Sequence, residues 1–296
     1  MNELRAPVIV VGMHRSGTSL LTRVLQQAGL FMGRGASRNE EAAFTNAINA
    51  WVFRQASATW DRPESVDWLW KDEQLWPWLV DYVDGITRGP ASMRFLGPGR
   101  WWRYRGLDGV TEPWGFKDPR NTYTLPLWRA LFPEARVIHI VRHGVDIAAS
   151  LRARRQAVLE ANLARYERRR RLYRGSPWAP KRRGFGPQPR CASLEGGLNL
   201  WSLYVERAAR HTEAAGEAAL TLRYEDLLRA PRAELTRALA FCGLEAPSDV
   251  IDNAAATVDP RRAYAHRGDP ELAGFAAEQR ATLAALGYER ARESPA

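Results

Sequence analysis

The sequence predicts a three-layer α/β fold, with a central parallel sheet flanked by helices on both faces. Three observations lead there. Pro7–Val11 is a continuous apolar, β-branched run, and Arg136–Val141 is a second clear strand, apolar but for Arg136 and His139. Such apolar runs are the pattern of strands buried on both faces. Each run is followed by a polar turn and then by apolar residues at helical spacing. Repeated strand–turn–helix units assemble into a parallel sheet with its helices outside.

Taken in order, Pro7–Val11 is the first strand and Gly12–Gly17 a tight polar loop. Thr18–Ala28 follows as a helix through Leu20, Leu21, Val24 and Leu25, stopping before Gly29. Residues 40–57 read as a second helix and 72–85 as a weaker one. Trp114–Lys117 reads as a strand end, and Thr122–Leu131 as a helix that stops at Pro133. Arg136–Val141 is a strand, and the helix after it runs from Gly144 to about Arg155. Arg runs, Gly and Pro break the rhythm over 156–190. Leu194–Thr212 is helical, Ala219–Arg223 a strand and Pro231–Phe241 a helix. The tail from Asp259 is irregular, with a short helix near 271–286. The 296 residues suit one domain spanning the whole chain, with a basic insertion at about 156–190.

The net charge of +10 sits in one place. Residues 152–190 hold 13 Lys or Arg against Glu160 and Glu167, which leaves the rest of the chain at about −1. The high pI therefore describes a segment and is poor evidence for a nucleic-acid-binding fold. The two cysteines, Cys191 and Cys242, have no metal-ligand spacing around them, and no metal is expected. No apolar run is long enough to span a bilayer and no signal peptide is recognisable, so a cytoplasmic protein is the expectation.

Gly12-Met-His-Arg-Ser-Gly-Thr-Ser19 joins the first strand to the first helix. Such a turn aims backbone N–H groups at an anion, and the helix dipole adds favourable potential. The G-x-x-x-x-G spacing makes the fold P-loop-like. A Walker loop would continue with Lys, where this chain has Thr18, and its cation sits earlier, at Arg15. Arg15-Ser-Gly-Thr-Ser19 followed by Leu20-Leu21 resembles the 5′-phosphosulfate loop of sulfotransferases, above all their bacterial and protein-tyrosine branch. The resemblance implies that Arg15, Ser16, Gly17, Thr18 and Ser19 wrap the 5′-phosphosulfate of 3′-phosphoadenosine-5′-phosphosulfate (PAPS). It leaves His14 as a loop side chain.

A second stretch, Arg136 to Leu151, is again strand, turn and helix, and resembles the family's 3′-phosphate motif. Arg142 at the strand end and Ser150 eight residues later match its two 3′-phosphate ligands. Arg154 matches a further cofactor contact, and so does Tyr224 in Leu222-Arg-Tyr-Glu-Asp-Leu227, for which a half-buried core tyrosine is the rival reading. The resemblance covers roughly residues 6–155 and 194–243. Asp259–Arg267 is a poor match to the family's cofactor-covering loop.

For chemistry, the resemblance makes Lys117 of Gly115-Phe-Lys-Asp-Pro-Arg120 the charge stabiliser, with Asp118 fixing the loop. The base is one of the glutamates opening the second helix. Glu41 matches the second of the family's pair and Glu40 is the alternative. The function implied is transfer of a sulfuryl group from PAPS to a hydroxyl or amine acceptor, releasing adenosine 3′,5′-bisphosphate (PAP). A P-loop kinase or NTPase and an RNA-binding protein are the rival readings. The acceptor is of unknown class. Carbohydrate, aromatic and acidic molecules all fit, because residues 51–114 carry nine of the twelve tryptophans, with Trp101-Trp102 among them, and because the basic insertion can attract an acidic acceptor through Arg168–Arg171 and Lys181–Arg183.

Overall fold

Four parallel strands form one sheet in the order β2-β1-β3-β4, with β1 Val8–Val11, β2 Gly115–Lys117, β3 Arg136–Val141 and β4 Ala219–Arg223. The structure is a computed structural model and describes residues 6–35, 39–176, 184–245 and 247–288. The expected architecture holds: a central parallel sheet flanked by helices. The chain divides into two compact units, Met1–Arg142 with Tyr204–Tyr264, and His143–Leu203 with Ala265–Ala296. The first unit contains the whole sheet.

Alternation along β1 separates the sheet's two faces. Val8 and Val10 join Leu21, Val24 and Leu25 of helix α1 (Thr18–Gln27) in a branched aliphatic core. Ile138, Ile140, Leu222 and Leu227 complete that core. On the other face, Ile9 pairs with Phe116, whose ring centroid lies 4.7 Å from that of Trp128. Trp114, Phe95 and Phe132 extend this aromatic layer. Trp114 and Trp128 are fully enclosed, so part of the tryptophan-rich composition is core packing. Among the described residues no helix is long and apolar enough to cross a membrane.

His139 lies on β3 between Val11 and Thr221, in the middle of the sheet. Burial pushes its imidazole from an ordinary 6.5 down to about 4. The folded chain keeps the ring neutral, while the unfolded chain takes up a proton as pH falls through about 6.5. Stability is therefore complete above about pH 6.5 and declines toward pH 4, by up to about 3 kcal/mol from this one ring. Burial and the Arg207 guanidinium push His211 down to about 4 as well, so it acts in the same direction. Thermal midpoints measured from pH 7 to 4 should fall less steeply in His139→Leu than in the unchanged protein. Identical slopes would show that His139 is not a source of acid lability.

The second unit is helical. Its long helix, Gly144–Arg168, approaches the Leu194–Ala215 helix closely within this unit: a Cβ at Gly144 would lie 2.6 Å from Leu198, and one at Gly197 would lie 2.9 Å from Ala148. Asp146 accepts hydrogen bonds from the backbone N–H of His266 at 2.8 Å, and its carboxylate lies 3.0 Å from the His266 ring. Arg152 grips Glu271 with two guanidinium nitrogens.

Here the sequence reading needs correction. The helix expected to end near Arg155 runs on to Arg168, and Arg170–Gly175 is helical too. Arginine, alanine, leucine, glutamate and glutamine are all strong helix formers. A run of like charge does not break the helix, and no Gly or Pro stands between Gly144 and Gly175 to do so. Lys181–Arg183, the second charge cluster, lies outside the described residues. The Met93–Tyr104 helix was not foreseen, because Gly97 and Pro98 interrupt its pattern and its backbone alike.

Candidate active site

In an open parallel sheet, ligands gather at the carboxyl ends of the strands. The first unit places an expected residue just at or beyond each of its four strand ends. The Gly12–Gly17 loop follows β1, Lys117 ends β2, Arg142 follows β3 and Tyr224 follows β4. The loop turns sharply. A Cβ at Gly12 would sit 2.5 Å from the Ile140 carbonyl oxygen, so the chain passes β3 at a distance only glycine allows. Thr122 Oγ1 accepts the Gly12 N–H at 3.1 Å and anchors the loop from the neighbouring helix Asn121–Leu131. Arg15 is exposed with a left-handed φ of 73°. Ser16 is fully buried, and its hydroxyl has no hydrogen-bond partner among the described residues. A buried hydroxyl without a partner costs stability.

The two residue types expected for chemistry meet beside this loop. Lys117 Nζ, 2% exposed, donates to Glu41 Oε1 at 3.1 Å and to the Asn39 carbonyl at 2.8 Å. The same Asn39 carbonyl accepts the Ser19 hydroxyl at 2.9 Å. One backbone oxygen therefore ties the first turn of α1 to the lysine. Glu41 is enclosed as well, and its Oε2 accepts from Asn46 Nδ2 at 3.0 Å. Glu40 is turned away. Its φ of 60° directs its carboxylate to Arg23 on α1, at 3.8 Å.

A buried polar network holds this arrangement. Helix α2 (Ala43–Gln55) carries Asn49, whose amide donates to Asp118 at 3.0 Å and to Asn121 Oδ1 at 2.7 Å. Its carbonyl accepts from Thr124 Oγ1 and Trp128 Nε1. Asp118 also takes three hydrogen bonds from Arg120, through the backbone N–H and two guanidinium nitrogens. Asp118 is thus occupied in fixing the turn after β2, as expected. Asn39, Asn46, Asn49, Arg120 and Thr122 were not singled out from sequence. A backbone carbonyl and asparagines of one helix leave no motif to find.

Tyr224 is 6% exposed, not half-buried, and has two contacts that matter. Arg142's guanidinium lies 4.9 Å from its ring centroid. The ring also lies against the Gly12–Gly17 loop, since a Cβ at Gly17 would meet it at 2.4 Å. Arg142 donates to the carbonyls of Arg15 at 3.4 Å and Arg262 at 3.3 Å, which joins the loop to the segment after Asp259. Ser150, half-buried, and Arg154, exposed, lie on the Gly144–Arg168 helix of the second unit. His14 packs edge-on against Trp60 at 4.5 Å. Trp101 and Trp102 lie under the Arg105 guanidinium, 5.3 and 4.3 Å from the ring centroids. No group of three His, Cys, Asp or Glu side chains among the described residues has the geometry to hold a metal ion.

The sequence profile described as "Sulfotransferase family" matches residues 7–248. Among curated proteins, an uncharacterized protein of Aquifex aeolicus (strain VF5) is 26% identical over 146 residues, which are 49% of this chain and 17% of that protein. The chain thus spans about a sixth of the length of the curated relative it matches. Among solved structures, the sulfotransferase domain from the Synechococcus PCC 7002 olefin synthase is 17% identical, over 86% of this chain and 81% of that one, with a TM-score of 0.45. The sulfotransferase domain from the curacin biosynthetic pathway is 13% identical over 93% and 97%, with a TM-score of 0.47. Sulfotransferase STF1 from Mycobacterium tuberculosis H37Rv is 18% identical over 86% and 71%, with a TM-score of 0.43.

Proposed function

We propose that this chain, which belongs to the sulfotransferase family, transfers a sulfuryl group from PAPS to a hydroxyl or amine acceptor and releases PAP. The observation that carries this reading is the Asn39 carbonyl shared by Ser19 Oγ and Lys117 Nζ, which sets a buried lysine–glutamate pair beside an anion-binding loop. The unpartnered Ser16 hydroxyl and the close backbone approaches at Gly12 and Gly17 fit a phosphosulfate held by the loop. Bound PAPS supplies the activated sulfuryl group. The family match runs through both units, which supports reading them as one domain.

The residues divide the work as follows. The loop from Arg15 to Ser19 holds the 5′-phosphosulfate through N–H groups, hydroxyls and one guanidinium. Arg142, braced on Tyr224, takes the 3′-phosphate. Ser150 and Arg154 join that assignment through sequence resemblance alone. Sulfuryl transfer is akin to phosphoryl transfer, with a loose in-line transition state that spreads negative charge. As the acceptor oxygen bonds to sulfur, the bond from sulfur to the 5′-phosphate oxygen breaks and its electron pair leaves with PAP. Lys117 stabilises that charge. Two of its three N–H positions are set by Glu41 and Asn39, so the third has a fixed direction. Glu41 accepts the acceptor's proton.

Calorimetry with PAP, AMP and ATP tests the donor assignment. A hydrogen bond to a charged group is worth about 1.5–3 kcal/mol. PAP should therefore bind tenfold or more tightly than AMP, and Arg142→Ala should erase most of that preference while leaving AMP affinity nearly unchanged. Equal affinities for PAP and AMP in the unchanged protein, or a preference for ATP, would overturn the reading. A screen for PAPS-dependent mass gain over alcohols, phenols, sugars and amines then identifies the acceptor.

A further inference from the structure

We propose that Asn46 is a positioning residue for sulfuryl transfer: its side-chain amide orients the Glu41 carboxylate for proton removal from the acceptor. The inference rests on the reading of Glu41 as the base. The geometry is local. Helix α2 begins at Ala43 with Ala42 as its N-cap, so Glu41 and Asn46 occupy the two positions that flank a helix start and often pack together as an apolar staple. Here the staple is polar. Asn46 Nδ2 donates to Glu41 Oε2 at 3.0 Å, and the Asn46 backbone N–H caps back to the Ala42 carbonyl at 3.0 Å.

A glutamate's terminal torsion is broad and does not fix the carboxylate plane by itself. Two donors at different oxygens do. Lys117 holds Oε1 and Asn46 holds Oε2, and each oxygen keeps lone-pair capacity for an incoming proton. The second donor is neutral. A cation at position 46 would compete with the acceptor's proton for the carboxylate, whereas an amide orients it without adding charge. Asn46 is itself held from the other side, because Arg120 donates to its backbone carbonyl at 3.1 Å while gripping Asp118 next to Lys117. The base and the charge stabiliser are thereby set against each other through one short path, Glu41–Asn46–Arg120–Asp118, as well as directly. Catalysis of this class of reaction rests on positioning together with electrostatic stabilisation.

The test is a double-mutant cycle on the full chain, read as PAP release from PAPS with water as the acceptor, together with PAP affinity and thermal midpoint. Asn46→Leu, with the same heavy-atom branching but without a donor, should lower kcat about tenfold or more while the KM for PAPS and the affinity for PAP change less than twofold. Asn46→Gln keeps an amide and should recover part of that loss, which also covers the case in which the leucine variant folds poorly. In a Glu41→Gln background, Asn46→Leu should cost nothing further, because a residue that acts through Glu41 loses its effect when the carboxylate is gone. Three results overturn the inference: an Asn46→Leu enzyme with unchanged kcat, a loss carried by PAPS KM and PAP affinity instead of kcat, or full additivity in the cycle. If Glu41→Gln alone retains full activity, the base assignment itself has failed, and the cycle separates that outcome from a failure at Asn46 alone.

Discussion

Lys117→Ala should lower turnover about a hundred- to a thousandfold while PAP affinity stays within a few-fold. The lysine's amine is fixed by Glu41 Oε1 and the Asn39 carbonyl before any substrate arrives, so its remaining N–H needs no reorganisation as charge develops on the departing oxygen. A contact that strengthens only in the transition state appears in kcat and not in ground-state affinity. The substitution has a second consequence. It leaves Glu41 nearly enclosed without its cation, and breaking a buried pair from one side costs up to about 3–5 kcal/mol. Loss of activity could then be mistaken for loss of fold. The neutral pair Lys117→Met with Glu41→Gln keeps volume and removes both charges, so it should regain thermal stability and keep its PAP binding yet stay inactive. Glu41→Gln alone should be nearly inactive and Glu40→Gln nearly normal, since Glu40 faces Arg23. Stopped-flow turnover with calorimetry on these variants decides the matter. A Lys117→Ala enzyme that binds PAP normally and turns over at the original rate would remove Lys117 from the chemistry.

The parts of this site that could be read in advance are those in which backbone conformation constrains residue type. The Gly12–Gly17 loop needs residues without side chains at close approaches, and β1 and β3 need branched apolar residues because both faces are covered, His139 being the one polar side chain taken into the middle of the sheet. These requirements leave a trace in a single sequence, so strands and loop were placed within a residue or so. The partners of Lys117 were harder. Glu40 and Glu41 are indistinguishable as letters, and only the left-handed φ at Glu40 sends one carboxylate to Arg23 and the other to the lysine. Nothing local in Asn39-Glu-Glu announces that turn.

The asparagines were invisible for a different reason. Asn49 satisfies Asp118, Asn121, Thr124 and Trp128 at once, across separations of 69 to 79 residues. A residue type that is common in turns and solvated faces gives no sign of such long-range work. The Arg-rich helix shows the opposite failure. Its charges are conspicuous and suggest repulsion over 156–168, but exposed side chains on a helix are screened by water and salt, and the helix propensity of arginine prevails. The tryptophans divide between both cases: Trp114 belongs to the buried aromatic layer, while Trp102 is 63% exposed beneath Arg105.

Gly17→Ala should weaken PAP binding about a hundredfold and lower the thermal midpoint. Gly17 sits at φ 99°, where an alanine is strained by about 1–2 kcal/mol. Its new Cβ would also lie 2.4 Å from Tyr224 Cδ2 and 2.7 Å from Cε2. Tyr224 cannot easily yield, because it is packed into the aliphatic core with the Arg142 guanidinium over its ring. The loop must move instead, and displacing its N–H groups from an anion forfeits one or two charge-assisted hydrogen bonds of about 1.5–3 kcal/mol each. Gly29 separates the two causes. It has nearly the same φ, 97°, with nothing within 4 Å of a Cβ, and it stands at the far end of α1 from the loop. Gly29→Ala should therefore show the conformational cost alone: a lower midpoint with unchanged PAP affinity. Adding Tyr224→Ala to Gly17→Ala should relieve the clash and raise PAP affinity above that of the single variant, although it removes the ring that braces Arg142. If Gly17→Ala binds PAP as the unchanged protein does, the 5′-phosphosulfate is not held by this loop, and the placement of the donor at the β1 strand end is wrong.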